Sequence, residues 1–108
     1  MKLPNVDHAL VQKSKITEYL LAENNPSGKA GFFTRFGFSV AQWEVMQAAL
    51  LHHAKQHEVM NVMVNEHGTK YVIEGEIISP DGRNPAIRAI WIVDIGYDFP
   101  RLVSAYPL

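Results

Sequence analysis

The sequence predicts an α+β fold in which two or three N-terminal helices pack on one face of a four-stranded antiparallel β-meander. Three observations lead there. Four runs in the second half, Val59 to Val64, Lys70 to Ile78, Ile87 to Ile95 and Arg101 to Tyr106, are rich in Val, Ile, Tyr and Trp, the residues that suit a pleated, half-buried surface. Compact turn signals divide them: His67-Gly68, Pro80-Asp81-Gly82 and Gly96-Tyr97-Asp98. The first half instead spaces its apolar residues three and four apart, as a helix with one buried face requires.

Within the strands, alternation assigns the faces. Tyr71, Ile73 and Ile77 share one side of the second run, and Lys70, Glu74 and Glu76 the other. In the third run Ile87, Ala89, Trp91, Val93 and Ile95 oppose Arg88 and Asp94, so one side of the sheet requires a core. Trp91 is the expected centre of that core, beneath Trp43 and Leu50.

The helices follow from punctuation. Lys2-Leu3-Pro4-Asn5 is an extended entry, because Pro4 restricts the residue before it. Ser14 is the expected N-cap of a first helix, Lys15 to Ala22, which Asn24-Asn25-Pro26-Ser27-Gly28 ends. Lys29 to Phe36 forms a short helix with Phe33 and Phe36 turned inward and Gly37 at the C′ position. Ser39-Val40-Ala41-Gln42 fits a capping box that opens the longest helix. Trp43, Met46, Leu50 and Ala54 form its buried stripe, with His53 at the flank, His52 in solvent and His57 at the C-terminal end.

A chain of 108 residues has room for one domain, residues 1–108, with a single modest core. Its 47% apolar and 19% charged residues exclude a disordered or collagen-like class. With no cysteine, neither disulfides nor a thiolate metal site nor a cysteine nucleophile is available. The opening Met1-Lys2-Leu3-Pro4 lacks an apolar signal core and no run is long enough for a membrane span, so a cytoplasmic product is expected. Net charge is −1, with six Lys or Arg against four Asp or Glu in residues 1–57 and four against seven in residues 58–108. That balance lacks the basic face by which a dedicated nucleic-acid binder is recognised.

Few residues remain for chemistry. His53 and His57 have the i, i+4 spacing of a helical zinc pair, but no HExxH-like frame surrounds them, and a solvated helix-end pair is the simpler account. No metal or other cofactor is expected. A GxSxG elbow and a GxxxxGK[ST] phosphate loop are both absent. The polar face of the sheet is left: Lys70, Glu74 and Glu76 beside Arg88, with Glu76 expected opposite Arg88. One such group can deprotonate a ribose 2′-hydroxyl, another can protonate the leaving oxygen, and Arg or Lys can stabilise the phosphorane. The plainer alternative is a set of cross-strand ion pairs on a solvated face, each contributing at most about 1 kcal/mol.

The order of motifs resembles the bacterial family numbered 6883 among the domains of unknown function. The resemblance rests on Lys2-Leu3-Pro4-Asn5, on Tyr19-Leu20-Leu21, and on Asn25-Pro26-Ser27-Gly28-Lys29-Ala30 followed by Phe33 and Gly37. It continues through Gly68-Thr69-Lys70-Tyr71-Val72, Arg88-Ala89-Ile90-Trp91-Ile92 and Phe99-Pro100-Arg101-Leu102-Val103-Ser104-Ala105-Tyr106. Members stand alone or form the C-terminal unit of large secreted toxin-like proteins, which implies an effector module. The layout is also similar to the ribonuclease toxin group that includes barnase, colicin and RelE-like proteins. The resemblance implies Lys70, Glu74 and Arg88 as catalytic residues, and Lys29, Ser104 and Tyr106 as substrate-binding residues. It further implies an RNA substrate, a checking partner of antitoxin or immunity type, and no membrane. A non-catalytic interaction module of antitoxin or immunity type using the same sheet is the alternative. Asn25 stands where many members have His, and His53 where a small residue is common, so neither position inherits a role.

Overall fold

A computed structural model describes residues 1–22 and 29–108, the latter without the side chains of Lys29 and Ala30. The expected end of the first helix at Asn24 to Gly28 lies outside the described residues. A 3-10 turn (Val6–His8) precedes a short helix, α1 (Lys13–Lys15), which widens into a π turn over Ile16–Leu20. Then follow α2 (Lys29–Arg35), α3 (Trp43–Gln56) and the strands β1 (Val59–Asn65), β2 (Gly68–Glu76), β3 (Ala86–Asp94) and β4 (Arg101–Pro107).

The first helix departs from expectation. Ser14 sits inside it, the N-cap is Gln12, and no side chain caps that end. The π turn, closed by the Leu21 N–H donating to the Ile16 carbonyl at 2.8 Å, lets Leu20 and Leu21 both join Ile16 in the core. A regular α turn would rotate one of the two leucines away. Burial of three large apolar side chains therefore outweighs a good capping residue.

The α2 terminus follows its sequence signal closely. Gly37 has φ +100°, its N–H donates to the Thr34 carbonyl at 3.0 Å, and the Phe38 N–H donates to Phe33 at 3.4 Å, the paired bonds of a Schellman motif. The accompanying apolar contact is Phe33 against Phe38, with ring centroids 6.1 Å apart. Any side chain at position 37 would also meet the Pro80 ring, since a Cβ there would lie 2.9 Å from Pro80 Cβ. In the segment before α3 the Gln42 N–H donates to Ser39 Oγ at 3.2 Å, and the helix itself starts at Trp43.

The sheet is an antiparallel meander in the order β1-β2-β3-β4. Its helix-covered side carries the core: Ile73, Ile87, Ala89, Trp91 and Ala105 are fully buried with Met46, Leu50, Phe33, Ile16 and Leu20. Trp91 is central as its alternation requires, although its indole Nε1 has no acceptor among the described residues. Packing decides that position over polar satisfaction. Trp43 is only half-buried at the edge of this cluster.

α3 is tied to the sheet by imidazoles. Pairing of β1 with β2 stops at Val59 and Ile73, and beyond it His53 Nε2–H donates to the Gly75 carbonyl at 3.0 Å. His57 Nε2–H donates to the Glu76 carbonyl at 2.8 Å. The rings lie 4.7 Å apart, and a Cβ on Gly75 would stand 2.5 Å from His57 Nδ1, so only glycine permits this approach. His53, expected at the flank of the core, is fully buried. Burial is the main reason its pKa falls from 6.5 to about 4, with His57 and His52 adding repulsion against the backbone bond to Gly75. It is thus neutral, and its unpartnered Nδ1 is a buried lone pair.

Candidate functional site on the bare face of the sheet

The opposite side of the sheet has no helix over it among the described residues. There Glu74 of β2 pairs in register with Arg88 of β3, and Arg88 with Tyr106 of β4, which sets three polar side chains in one row across three strands. The expected opposition of Glu76 to Arg88 is corrected: Glu76 faces Ala86. The cause is the loop between β2 and β3. The Ile77 N–H donates to the Pro85 carbonyl at 3.0 Å, and the tip is folded on itself by Ser79, Asp81 and Asn84. The tip also docks on α2: the Asp81 N–H donates to the Phe36 carbonyl at 3.2 Å, and the Arg83 guanidinium lies 4.5 Å from the Phe36 ring. A tertiary contact therefore sets the register by two residues, which preserves the face and changes the partner.

Arg88 Nε donates to Glu74 Oε2 at 2.5 Å, and its Nη2 contacts the same oxygen. Among the described residues no hydrogen bond is made to Glu74 Oε1. Arg88 also lies over the Tyr106 ring at 5.7 Å. A hydrogen bond with Tyr106, then the bond and charge of Glu74, hold the guanidinium pKa above its ordinary value. The row opens into a concavity of about 530 Å³. Val72 and Ile90 form its floor, Met60, Asn61 and Met63 of β1 its wall, and Glu74, Arg88 and Tyr106 its polar side.

The other predicted residues are placed differently. Lys70 shares the face by alternation but pairs with Ile92 and Met63, four residues up β2 from Glu74, about 13 Å along the strand. It does not line the concavity. Ser104 is buried at the bulged part of β4, its Oγ 3.5 Å from the Tyr19 hydroxyl. Lys29 begins α2, and its side chain lies outside the described residues. Met60 and Met63 were not anticipated as site residues. The signal was present, since β1 carries neither Lys, Arg, Asp nor Glu, whereas each of the other strands has at least one charged residue.

Nothing here is arranged for a metal: among the described residues no group of three or more His, Asp or Glu is placed to hold an ion. A second ion pair on the same face joins Arg101 to Asp94 at 2.7 and 3.0 Å, and Arg101 holds the Asp94 carboxyl below its usual range. No described helix is long and apolar enough to cross a membrane.

The family model described as Domain of unknown function (DUF6883) matches residues 2–108. The chain belongs to that family. Among curated proteins no sequence matches it. Among solved structures, a chain of the "Contact-dependent growth inhibition toxin - immunity protein complex from Klebsiella pneumoniae 342" is similar with a TM-score of 0.71 and 14% identity. The match covers 91% of this DUF6883 chain and 98% of the other. At that identity the likeness establishes a shared fold.

Proposed function

We propose that this domain is a toxin-like effector that cleaves RNA without a metal, and that the row Glu74, Arg88 and Tyr106 is its working centre. The observation that carries the proposal is the convergence of those three side chains, from three strands, on the sheet face that no described helix covers. Glu74 Oε1 accepts the ribose 2′-hydroxyl proton as O2′ attacks the adjacent phosphorus. Arg88, held in place by Glu74 Oε2 and Tyr106, stabilises the charge that develops on the phosphoryl oxygens. The 5′-oxygen leaves and takes a proton from solvent, which reaches this face. Lys70, further up β2, attracts the phosphate backbone as it enters. The structural neighbour's description as part of a toxin–immunity complex supports a toxin or immunity role, without choosing between them.

The test is incubation of the purified domain with total bacterial RNA in the presence of EDTA. Cleavage is expected, and Arg88→Ala should slow it by about 10²–10³-fold, as removal of one preorganised donor does. Intact RNA with the unaltered domain would sink the proposal. The second reading, an interaction module of antitoxin or immunity type, rests on the exposed Met60 and Met63 beside the row and on the net charge of −1. Intact RNA together with harmless accumulation in bacteria would favour it.

A further inference from the structure

The two edges of the sheet differ, and from that difference we infer that the β1 edge receives an extended, acidic segment of a partner protein, added antiparallel to β1 beside the concavity. The chain covers its own β4 edge: Leu10 bridges in parallel to Arg101, with the Leu10 N–H donating to Pro100 and the Leu102 N–H to Leu10, both at 2.9 Å. At the β1 edge the only such bond among the described residues is at its start, where the Val59 N–H donates to the Met1 carbonyl at 2.7 Å. From Met60 onward the strand contains no Lys, Glu or Pro, the residues that ordinarily block strand addition. Its side chains stand in solvent instead, with Val64 78% and Met60 62% exposed.

Charge selects the occupant. The cations of the bare face pair off, Arg88 with Glu74 and Arg101 with Asp94, whereas Lys70 has no carboxylate partner among the described residues. Lys70 lies beside Met63 of the edge strand, so a strand added to β1 would be two strand spacings away, about 10 Å. A glutamate leaning over Met63 from that strand meets the lysine. A second copy fits less well. Antiparallel self-pairing centred on Val62 sets Glu58 of each copy against Glu66 of the other, and seven residues of edge fall short of the roughly 1,200 Å² that stable interfaces bury. The inference deepens the proposed function by naming how the site is covered, since the added strand would lie along the methionine wall of the concavity.

The test fuses an eight-residue strand, alternating Val and Glu, upstream of Met1, whose carbonyl already occupies the first position of the edge. Amide hydrogen exchange is read across Val59 to Asn65 without RNA, so the result is independent of whether the face cleaves anything. Alternate β1 amides should exchange at least about ten-fold more slowly than in the unfused chain, and a Val/Lys fusion should protect them far less. Lys70→Gln should abolish the difference between the two fusions. Equal protection by both fusions, or protection by neither, overturns the inference. So does a dimer of the unfused chain by sedimentation with β1 already protected, which would assign the edge to a second copy. Protection of the same amides by oligouridylate but not by the Val/Glu fusion would assign the edge to nucleic acid.

Discussion

The two faces of this sheet are built from alternate residues of the same strands, yet they solve different problems. On the helix side Ile73, Ile87, Ala89, Trp91 and Ala105 are all fully buried, and charge is absent. On the bare side Val72 and Ile92 are nearly as buried, and Glu74, Arg88, Asp94 and Arg101 are arranged in pairs around them. Apolar content therefore does not distinguish the faces. What distinguishes them is whether a second layer removes the remaining surface from water, because charge is tolerated on the side that no described helix covers.

The largest expected effect falls on the covered side. Trp91→Ala should lower unfolding free energy by about 3–5 kcal/mol, read from urea or guanidinium midpoints. A variant melting within a few degrees of the parent would reverse the assignment of faces.

Next comes the latch that joins helix to sheet. His53 has a pKa of 6.5 when unfolded and about 4 when folded, so between those values the unfolded chain binds more protons and stability rises with pH. Acidification from pH 7 to pH 4 should therefore remove stability on the order of 3 kcal/mol through this group, and His53→Gln should flatten that slope. An unchanged urea midpoint between pH 7 and pH 4.5 in the parent would refute a buried neutral imidazole.

On the bare side the same kind of truncation should matter less. Ile90→Ala, a half-buried position in the floor of the concavity, should cost about 1 kcal/mol, well below Trp91→Ala. If it costs as much, something covers that face. The smallest effect is expected for Arg88→Ala on folding itself. Its melting temperature should stay within about 2 °C of the parent, because exposed ion pairs contribute little, whatever happens to RNA cleavage.

The alternation of Tyr71 to Ile77 and Ile87 to Val93 made the sheet and its buried side legible, since burial of alternate residues is a local pattern with one solution. The Gly37 terminus was legible for the same reason: the left-handed position, the aromatic contact and the stop all lie within six residues. The Glu74–Arg88 pairing was not, because the loop tip packs on Phe36, forty-five residues before Asp81. Ser14 misled because a π turn is chosen by the core it fills. His53 looked peripheral on a helical projection, which has no knowledge of the carbonyls that β2 presents beyond the end of β1. The openness of β1 was equally invisible, since a strand's place in the sheet order is a property of its neighbours.

The parallel bridge between Leu10 and Arg101 has a consequence for how the chain folds. It closes a loop that runs from Leu10 to Arg101, so the entropy of that closure is lost before its two hydrogen bonds form. During synthesis the β4 edge cannot be sealed until Pro100 to Leu102 have left the ribosome, after β1, β2 and β3. Until then the meander has two open sides to keep from other strands.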